Sequence, residues 1–108
     1  MQTKTNLVKL YHQIDAANDD AINKHSAARQ LRTEITLAAI ARKFDELPEM
    51  VTAYEIAIND SEMAKKRVAN LIAKRNEWGY RSIDLYYYAT GNKSYQFSGR
   101  EVSVRPAK

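Results

Sequence analysis

The spacing of hydrophobic residues changes at Gly79, and this change limits the fold more than any other feature of the chain. Before Gly79, apolar residues recur at three- and four-residue steps, which places them on one face of a helix. After Gly79 the apolar residues occupy every second position. Ile83, Leu85 and Tyr87 would then share one face of a half-buried strand. The sequence therefore predicts a mostly helical α+β fold, in which four helices precede a C-terminal β-hairpin.

The first two predicted helices occupy the N-terminal part of the chain. One runs from Thr5 to Asn23, and either Thr5 or Asn6 can cap it through a side-chain oxygen. The next runs from Ser26 to about Glu46. The break between them contains neither glycine nor proline, so one long continuous helix is an open alternative.

The second predicted helix has an unusually wide apolar face, which indicates burial on two sides. One side would pack against the first helix, and the other against the segment 52–80 or a second subunit. The residues of this face are Leu31, Ile35, Leu37, Ala38, Ala39, Ile40, Ala41 and Phe44.

Two further helices and the hairpin follow. Pro48 suits the first turn of a helix spanning 48–58, because its missing amide is not needed there. The polar residues 59–61 predict a turn and a cap for a fourth helix from Ser61 to Trp78. A turn at 90–93 then joins the two strands of a hairpin covering 80–104, with a bulge predicted at Gly99.

The stretch from Thr52 to Tyr80 resembles a winged helix-turn-helix, and with the hairpin the resemblance covers about residues 48–105. The matching residues are Glu55, Ile56 and Ala57 in the first helix, Met63 at the turn, Val68 and Ile72 on the recognition helix, and Gly79 and Tyr80 at the start of the wing. On this interpretation the chain is a single domain, in which residues 1–47 form a helical hairpin suited to dimerisation.

The resemblance implies a small sequence-specific duplex DNA-binding protein, a transcriptional regulator, with the helix 61–78 in the major groove and the hairpin as wing. Lys and Arg would contact phosphates or guanine, and Asn would pair with adenine. A homodimer is expected, because two half-sites multiply specificity. The DNA-binding residues would be Lys65, Lys66, Arg67, Asn70 and Lys74 on the helix, with Arg81 and Lys93 on the wing. A cationic face that only keeps the protein soluble is the alternative.

A second hypothesis belongs to another class: a small accessory protein, of the type that phages and mobile elements encode, that binds and modulates a host protein. Its interface would be the helical face or the aromatic side chains of the hairpin. Core packing is the preferred role for those aromatics, and stacking on single-stranded bases is an alternative. The aromatic residues concerned are Tyr86, Tyr87, Tyr88, Tyr95 and Phe97.

The composition argues against catalysis. The chain has no cysteine, only three glycines, and two histidines thirteen residues apart, so no metal site, cofactor or phosphate loop is predicted. We therefore expect no enzyme. Neither a signal peptide nor a membrane span of about 20 apolar residues is evident, which predicts a cytoplasmic protein. The net charge of +4 is compatible with nucleic acid but does not demand it.

Overall fold

The computed structural model describes residues 2–91, and this part of the chain is built from helices. Helix α1 spans Lys4–Ile40, a short 3₁₀ turn spans Phe44–Glu46, α2 spans Leu47–Glu77 and α3 spans Ser82–Thr90. No strand occurs among these residues. The predicted C-terminal β-hairpin is therefore wrong where it can be compared, since its first strand is α3. Its second strand and its turn residue Lys93 lie outside the described residues.

Helix α1 covers both of the first two predicted helices, which confirms the alternative of one continuous helix. Ser26, predicted as a cap, is an exposed residue inside it. The N-terminal cap also differs from the prediction, because the Asn6 amide donates to Thr3 Oγ1 at 3.1 Å. Thr3 is thus the capping residue, and neither Thr5 nor Asn6 has that role.

Helix α2 likewise joins the third and fourth predicted helices, so the turn of the helix-turn-helix is absent. Asn59 and Asp60 are exposed on the helix surface, and Ser61 is buried. Residues of this type favour caps and turns because their side chains compete for backbone hydrogen bonds. When they point to solvent, they are also tolerated inside a helix. The prediction of separate helices at 48–58 and 61–78 is wrong for this reason.

Helix α3 replaces the predicted first strand. Its buried residues are Asp84, Leu85 and Tyr88, a spacing that belongs to one helical face, whereas Ile83 is 44% exposed. The Asp84 carboxylate accepts a hydrogen bond from the Arg81 backbone amide at 2.8 Å, which stabilises the first turn. Tyrosine and isoleucine are common in strands, so the composition of this segment favoured the two-residue period of a strand over the period of a helix.

Helices α1 and α2 end in the same way, with a residue of positive φ followed by a hydrogen bond back over five residues. At the end of α1 this residue is Arg42 (φ 59°), and the Lys43 amide donates to the Ala38 carbonyl at 2.9 Å. At the end of α2 it is Gly79 (φ 86°), and the Tyr80 amide makes the equivalent bond at 3.2 Å. Both are Schellman motifs, so the predicted stop at Gly79 is confirmed.

The chain divides into two compact units. The central unit is Ala17–Arg67, and the terminal unit comprises Met1–Ala16 with Val68–Lys108, of which 2–16 and 68–91 are described. The central unit is an antiparallel helical hairpin of residues 17–40 and 47–67, joined by a short turn. The terminal unit contains segments of α1 and α2 together with α3.

The terminal unit has a core of large side chains. Tyr80 and Tyr88 meet edge to face, with their ring centroids 6.2 Å apart. Each large apolar side chain buried in this way contributes roughly 1.5–3 kcal/mol. The buried core residues are Leu7, Leu10, Tyr80, Leu85 and Tyr88, and Tyr11, Ile14, Leu71 and Trp78 pack against them.

The central unit, in contrast, fully buries only small side chains, and the larger Leu31, Ile35, Met50 and Tyr54 are half-buried between them. From Ala28 to Ala38 and from Leu47 to Ala64 the buried and half-buried positions follow each other at alternating three- and four-residue steps, the spacing of a coiled-coil seam. Alanine contributes little apolar surface there, although it lets two helices approach closely. The buried residues of this unit are Ala17, Ala28, Ala38, Ser61 and Ala64.

Candidate interaction surface

Large apolar side chains are exposed throughout the central unit. This differs from the usual arrangement, since the fully buried residues are small and eight large apolar residues are exposed. Adjoining exposed apolar side chains mark sites of protein association in soluble proteins. The exposed residues are Ile22, Leu37, Ile40, Phe44, Val51, Ile56, Ile58 and Met63.

Three of them surround the turn of the hairpin, and we call this group the apolar tip: Leu37, Ile40 and Phe44. Their exposed fractions are 59%, 74% and 59%. Leu37 and Ile40 are neighbours on the helix surface because they are three residues apart. The Schellman motif then reverses the chain, and Phe44 begins the 3₁₀ turn.

A shallow cleft of about 360 Å³ lies beside the apolar tip, entirely within the central unit. The small side chains of Ala38 and Ala41 leave this space open, while Leu37 and Met50 supply apolar surface. Lys43 and Glu46 contribute polar groups to its lining. The cleft is therefore suited to an apolar side chain with polar groups around it.

Charged residues flank Phe44 symmetrically in the sequence. Arg42 and Lys43 precede it, and Asp45 and Glu46 follow it. All four are exposed. Within residues 2–91, none of these four side chains forms an ion pair or a side-chain hydrogen bond. The tip thus presents two cations and two anions whose charges are not neutralised by the described part of the chain.

Two more exposed apolar pairs extend along α2. Val51 and Ile58 are seven residues apart and share one face, and Ile56 and Met63 share another. Both pairs lie within the central unit. The apolar surface is consequently not confined to the turn.

The predicted DNA-contacting residues of the recognition helix lie on the surface of α2, although no separate recognition helix exists. Lys65 pairs with Glu62 at 3.4 Å, an exposed contact within the helix. Lys66, Arg67 and Asn70 are exposed. Lys74 lies 5.2 Å from the centroid of the Trp78 ring, so its charge interacts with the aromatic face.

The predicted wing residues have a different setting from the one expected. Arg81 precedes α3, and its guanidinium lies 3.5 Å from the Asp84 carboxylate, whose side chain is fully buried. Arg81 therefore neutralises an internal charge at the start of a helix and does not lie on a wing strand. Lys93 falls outside the described residues.

The aromatic residues divide between core and surface. Tyr88 is buried, whereas Tyr86 is 47% exposed. Tyr86 contacts Tyr11 and Tyr87 edge to face, at centroid distances of 6.2 and 5.2 Å. This confirms that part of the set packs inward. Tyr95 and Phe97 lie outside the described residues.

The sequence interpretation missed the exposure of the apolar tip. It predicted Leu37, Ile40 and Phe44 on a wide face covered on one side by the segment 52–80 or by a second subunit. The described part of the chain leaves these three side chains exposed. The width of the apolar face was the available signal. It showed that the helix had more apolar surface than one neighbouring helix could cover.

The sequence matches no protein-family model, and searches of curated proteins and of solved structures gave no match. Within residues 2–91, no helix has the length and apolar character needed to cross a membrane. The same residues contain no group of three or more histidine, aspartate or glutamate side chains arranged to hold a metal ion. The surface described above is thus the basis for a functional proposal.

Proposed function

We propose that this protein acts by protein–protein association and that the central unit is its interaction module. One observation supports this most strongly. The hairpin Ala17–Arg67 fully buries only alanine and serine, keeps its inward leucine, isoleucine, methionine and tyrosine half-buried, and exposes eight other large apolar side chains. A partner that covers these side chains would supply the burial that the hairpin itself does not provide.

The free energies of burial favour the same conclusion. A buried CH₂ or CH₃ group contributes about 0.8 kcal/mol, so each alanine of the seam adds little. Full burial of an exposed leucine, isoleucine or phenylalanine would contribute roughly 1.5–3 kcal/mol before the costs of association. Covering Leu37, Ile40 and Phe44 would therefore bury more apolar surface than three alanines of the seam do.

The charge of the central unit also supports a protein partner. Residues 17–67 contain eight Lys and Arg and nine Asp and Glu, a formal charge of 8 − 9 = −1, whereas the whole chain carries +4. A unit of this charge has no general attraction for a polyanion. Apolar contact is the interaction that its surface favours.

Site-specific photo-crosslinking tests the proposal. A photoreactive amino acid would replace Leu37 or Phe44 in cells that normally make the protein, with Asn18 and Lys66 as exposed polar control positions. We expect discrete crosslinked polypeptides at the apolar positions and much weaker products at the control positions. Equal crosslinking at all four positions, or none at Leu37 and Phe44, would contradict the proposal.

A second candidate function is binding to duplex DNA through the cationic part of α2. The observation that favours it is the row Lys66, Asn70 and Lys74, which follow at four-residue steps along one uninterrupted helix. Such a row could contact phosphates without a separate recognition helix or a wing. The competing observations are the pairing of Lys65 with Glu62 and the contact of Lys74 with Trp78.

Fluorescence anisotropy of a labelled duplex over a salt series would test this candidate. The wild type should lose affinity steeply as salt rises, and Lys66→Glu combined with Lys74→Glu should flatten the log–log slope by about 2. The control is Glu49→Gln combined with Glu55→Gln, which changes the charge elsewhere on α2. No binding at low salt, with folding verified by circular dichroism, would exclude this candidate.

A further inference from the structure

We infer that the partner of the apolar tip is a second copy of the same chain, bound tip to tip across a two-fold axis. This inference rests on the proposed function and specifies its partner. The features that lead to it are the order of charges around Phe44, the cleft beside the tip, and the exposure of Leu37 and Ile40.

The order of charges at the tip is self-complementary. A two-fold axis near Phe44 would place Arg42 and Lys43 of one copy opposite Asp45 and Glu46 of the other, and the reverse contact would follow by symmetry. In a single chain these side chains form no ion pairs within the described residues. A second copy would therefore provide opposite charges for all four at once.

The tip also carries both a projecting side chain and a cleft. Phe44 is 59% exposed and does not line the cleft of about 360 Å³ formed beside Ala38, Ala41 and Met50. In a two-fold arrangement, each copy would insert Phe44 into the cleft of the other. Aromatic side chains inserted in this way commonly dominate the energetics of an interface.

The apolar and charged parts of the tip would have different roles. Burial of Leu37, Ile40 and Phe44 would supply the affinity, because exposed ion pairs contribute little. The charges would fix the orientation, because like charges brought together oppose any other register. The contact is small compared with a standard interface of about 800 Å² per partner, so we expect a dissociation constant of roughly 1–100 µM.

Charge exchange between two variants tests the inference with the full chain. The acidic-tip variant carries Arg42→Glu and Lys43→Glu, and the basic-tip variant carries Asp45→Lys and Glu46→Lys. Sedimentation velocity would measure each variant alone and both in an equimolar mixture. We expect each variant alone to dimerise at least about tenfold more weakly than the wild type, because like charges would face each other. The mixture should form a 1:1 dimer, because both charge contacts are restored.

Two controls separate this result from a general effect of charge or from misfolding. Arg29→Glu combined with Arg32→Glu makes the same change of charge on α1 away from the tip, and dimerisation should persist. Phe44→Ala should weaken dimerisation about tenfold or more without altering the charges. Circular dichroism would verify that every variant remains helical.

Three results would overturn the inference: a wild type that stays monomeric at several hundred micromolar, tip variants that dimerise like the wild type, or a mixture of folded variants that stays monomeric. Photo-crosslinking distinguishes this failure from failure of the proposed function. Crosslinks from Leu37 and Phe44 to a different polypeptide, with a monomeric wild type, would reject the second copy and retain protein association. A monomeric wild type that gives no crosslinks from either position would reject both.

Discussion

The terminal and central units use the same helical spacing of inward positions but fill those positions with residues of different size. In the terminal unit the inward positions hold leucine and tyrosine. In the central unit the fully buried positions hold alanine and serine. The same spacing of inward positions therefore occurs in both units, and the volume of the inward side chains determines how much stability each inward face contributes.

This difference separates a unit with a core of large side chains from a unit whose large apolar side chains are half-buried or exposed. Large apolar residues are not missing from the central unit, since some are half-buried between its helices and eight lie at exposed positions of the unit. The comparison can be tested by changing matched residues in the two units, one pair at a time.

The largest difference in the free energy of unfolding should come from a pair of leucines, one in each unit. Leu85→Ala, at a residue 1% exposed, should lower the free energy of unfolding by about 2–5 kcal/mol, because it leaves a cavity in the terminal core. Leu37→Ala, at a residue 59% exposed, should change it by less than about 0.5 kcal/mol. Urea unfolding at low protein concentration would measure both. Similar losses at the two positions would show that the units do not differ as described.

The buried polar residues Asp84 and Ser61 form a second pair. Substitution of Asp84 should change the free energy of unfolding more than substitution of Ser61. Asp84→Ala removes the acceptor for the Arg81 amide and the partner of its guanidinium, so we expect a loss of about 1–3 kcal/mol. Asp84→Asn keeps the shape and one acceptor and should cost less. Thermal unfolding would rank the two variants, and a neutral Asp84→Ala would contradict the proposed role in starting α3.

Ser61 is the counterpart in the central unit, and its substitution should have the opposite sign. Its hydroxyl is buried and has no hydrogen-bond partner among the described residues. Ser61→Ala removes that unsatisfied group and introduces a better helix former, so the free energy of unfolding should rise by about 1 kcal/mol. Chemical denaturation would detect the gain. A loss of stability would mean that the hydroxyl has a partner in solution.

The two Schellman motifs offer the smallest and most closely matched comparison. Arg42 and Gly79 occupy equivalent positions with positive φ, which costs a non-glycine residue about 1 kcal/mol. Arg42→Gly should therefore stabilise the protein by about 0.5–1 kcal/mol, and Gly79→Ala should destabilise it by about the same amount. Melting temperatures would show these opposite shifts. Shifts of the same sign would contradict the equivalence of the two turns.

The sequence predicted the long helical part of the fold but not the number of helices. The inward positions Leu7, Leu10 and Ile14 follow from spacing, and the stop at Gly79 follows from the residue type, because glycine readily adopts the positive φ found there. The breaks at Ser26 and Ser61 were wrong because a polar residue that can cap a helix can also lie within one. Only the packing of the neighbouring residues decides between these outcomes.

Helix α3 could not be predicted from hydrophobic alternation. Residues 83–87 fit a strand with one buried face, and their tyrosines and isoleucine favour a strand by composition. The decisive interactions are local, namely the Asp84 carboxylate bound to the Arg81 amide and the positive φ of Gly91 at the other end. In a helix of nine residues, such end interactions outweigh a weak pattern.

The candidate site was predictable only in part. The wide face that includes Leu37, Ile40 and Phe44 indicated more apolar surface than one helix could cover, but spacing could not show which side would stay exposed. The cationic residues of α2 drew attention because they resembled a recognition helix. Their exposure is consistent with several roles, so it does not identify one by itself.

Hydrogen–deuterium exchange followed by mass spectrometry tests the difference between the two units most directly. Peptides from the terminal core, such as 7–16 and 80–90, should be the better protected in dilute solution and should not respond to protein concentration. Peptides covering 28–64 should exchange faster in dilute solution and become protected as concentration rises. Equal protection of both units in dilute solution, unchanged at high concentration, would contradict the claim that the central unit depends on association.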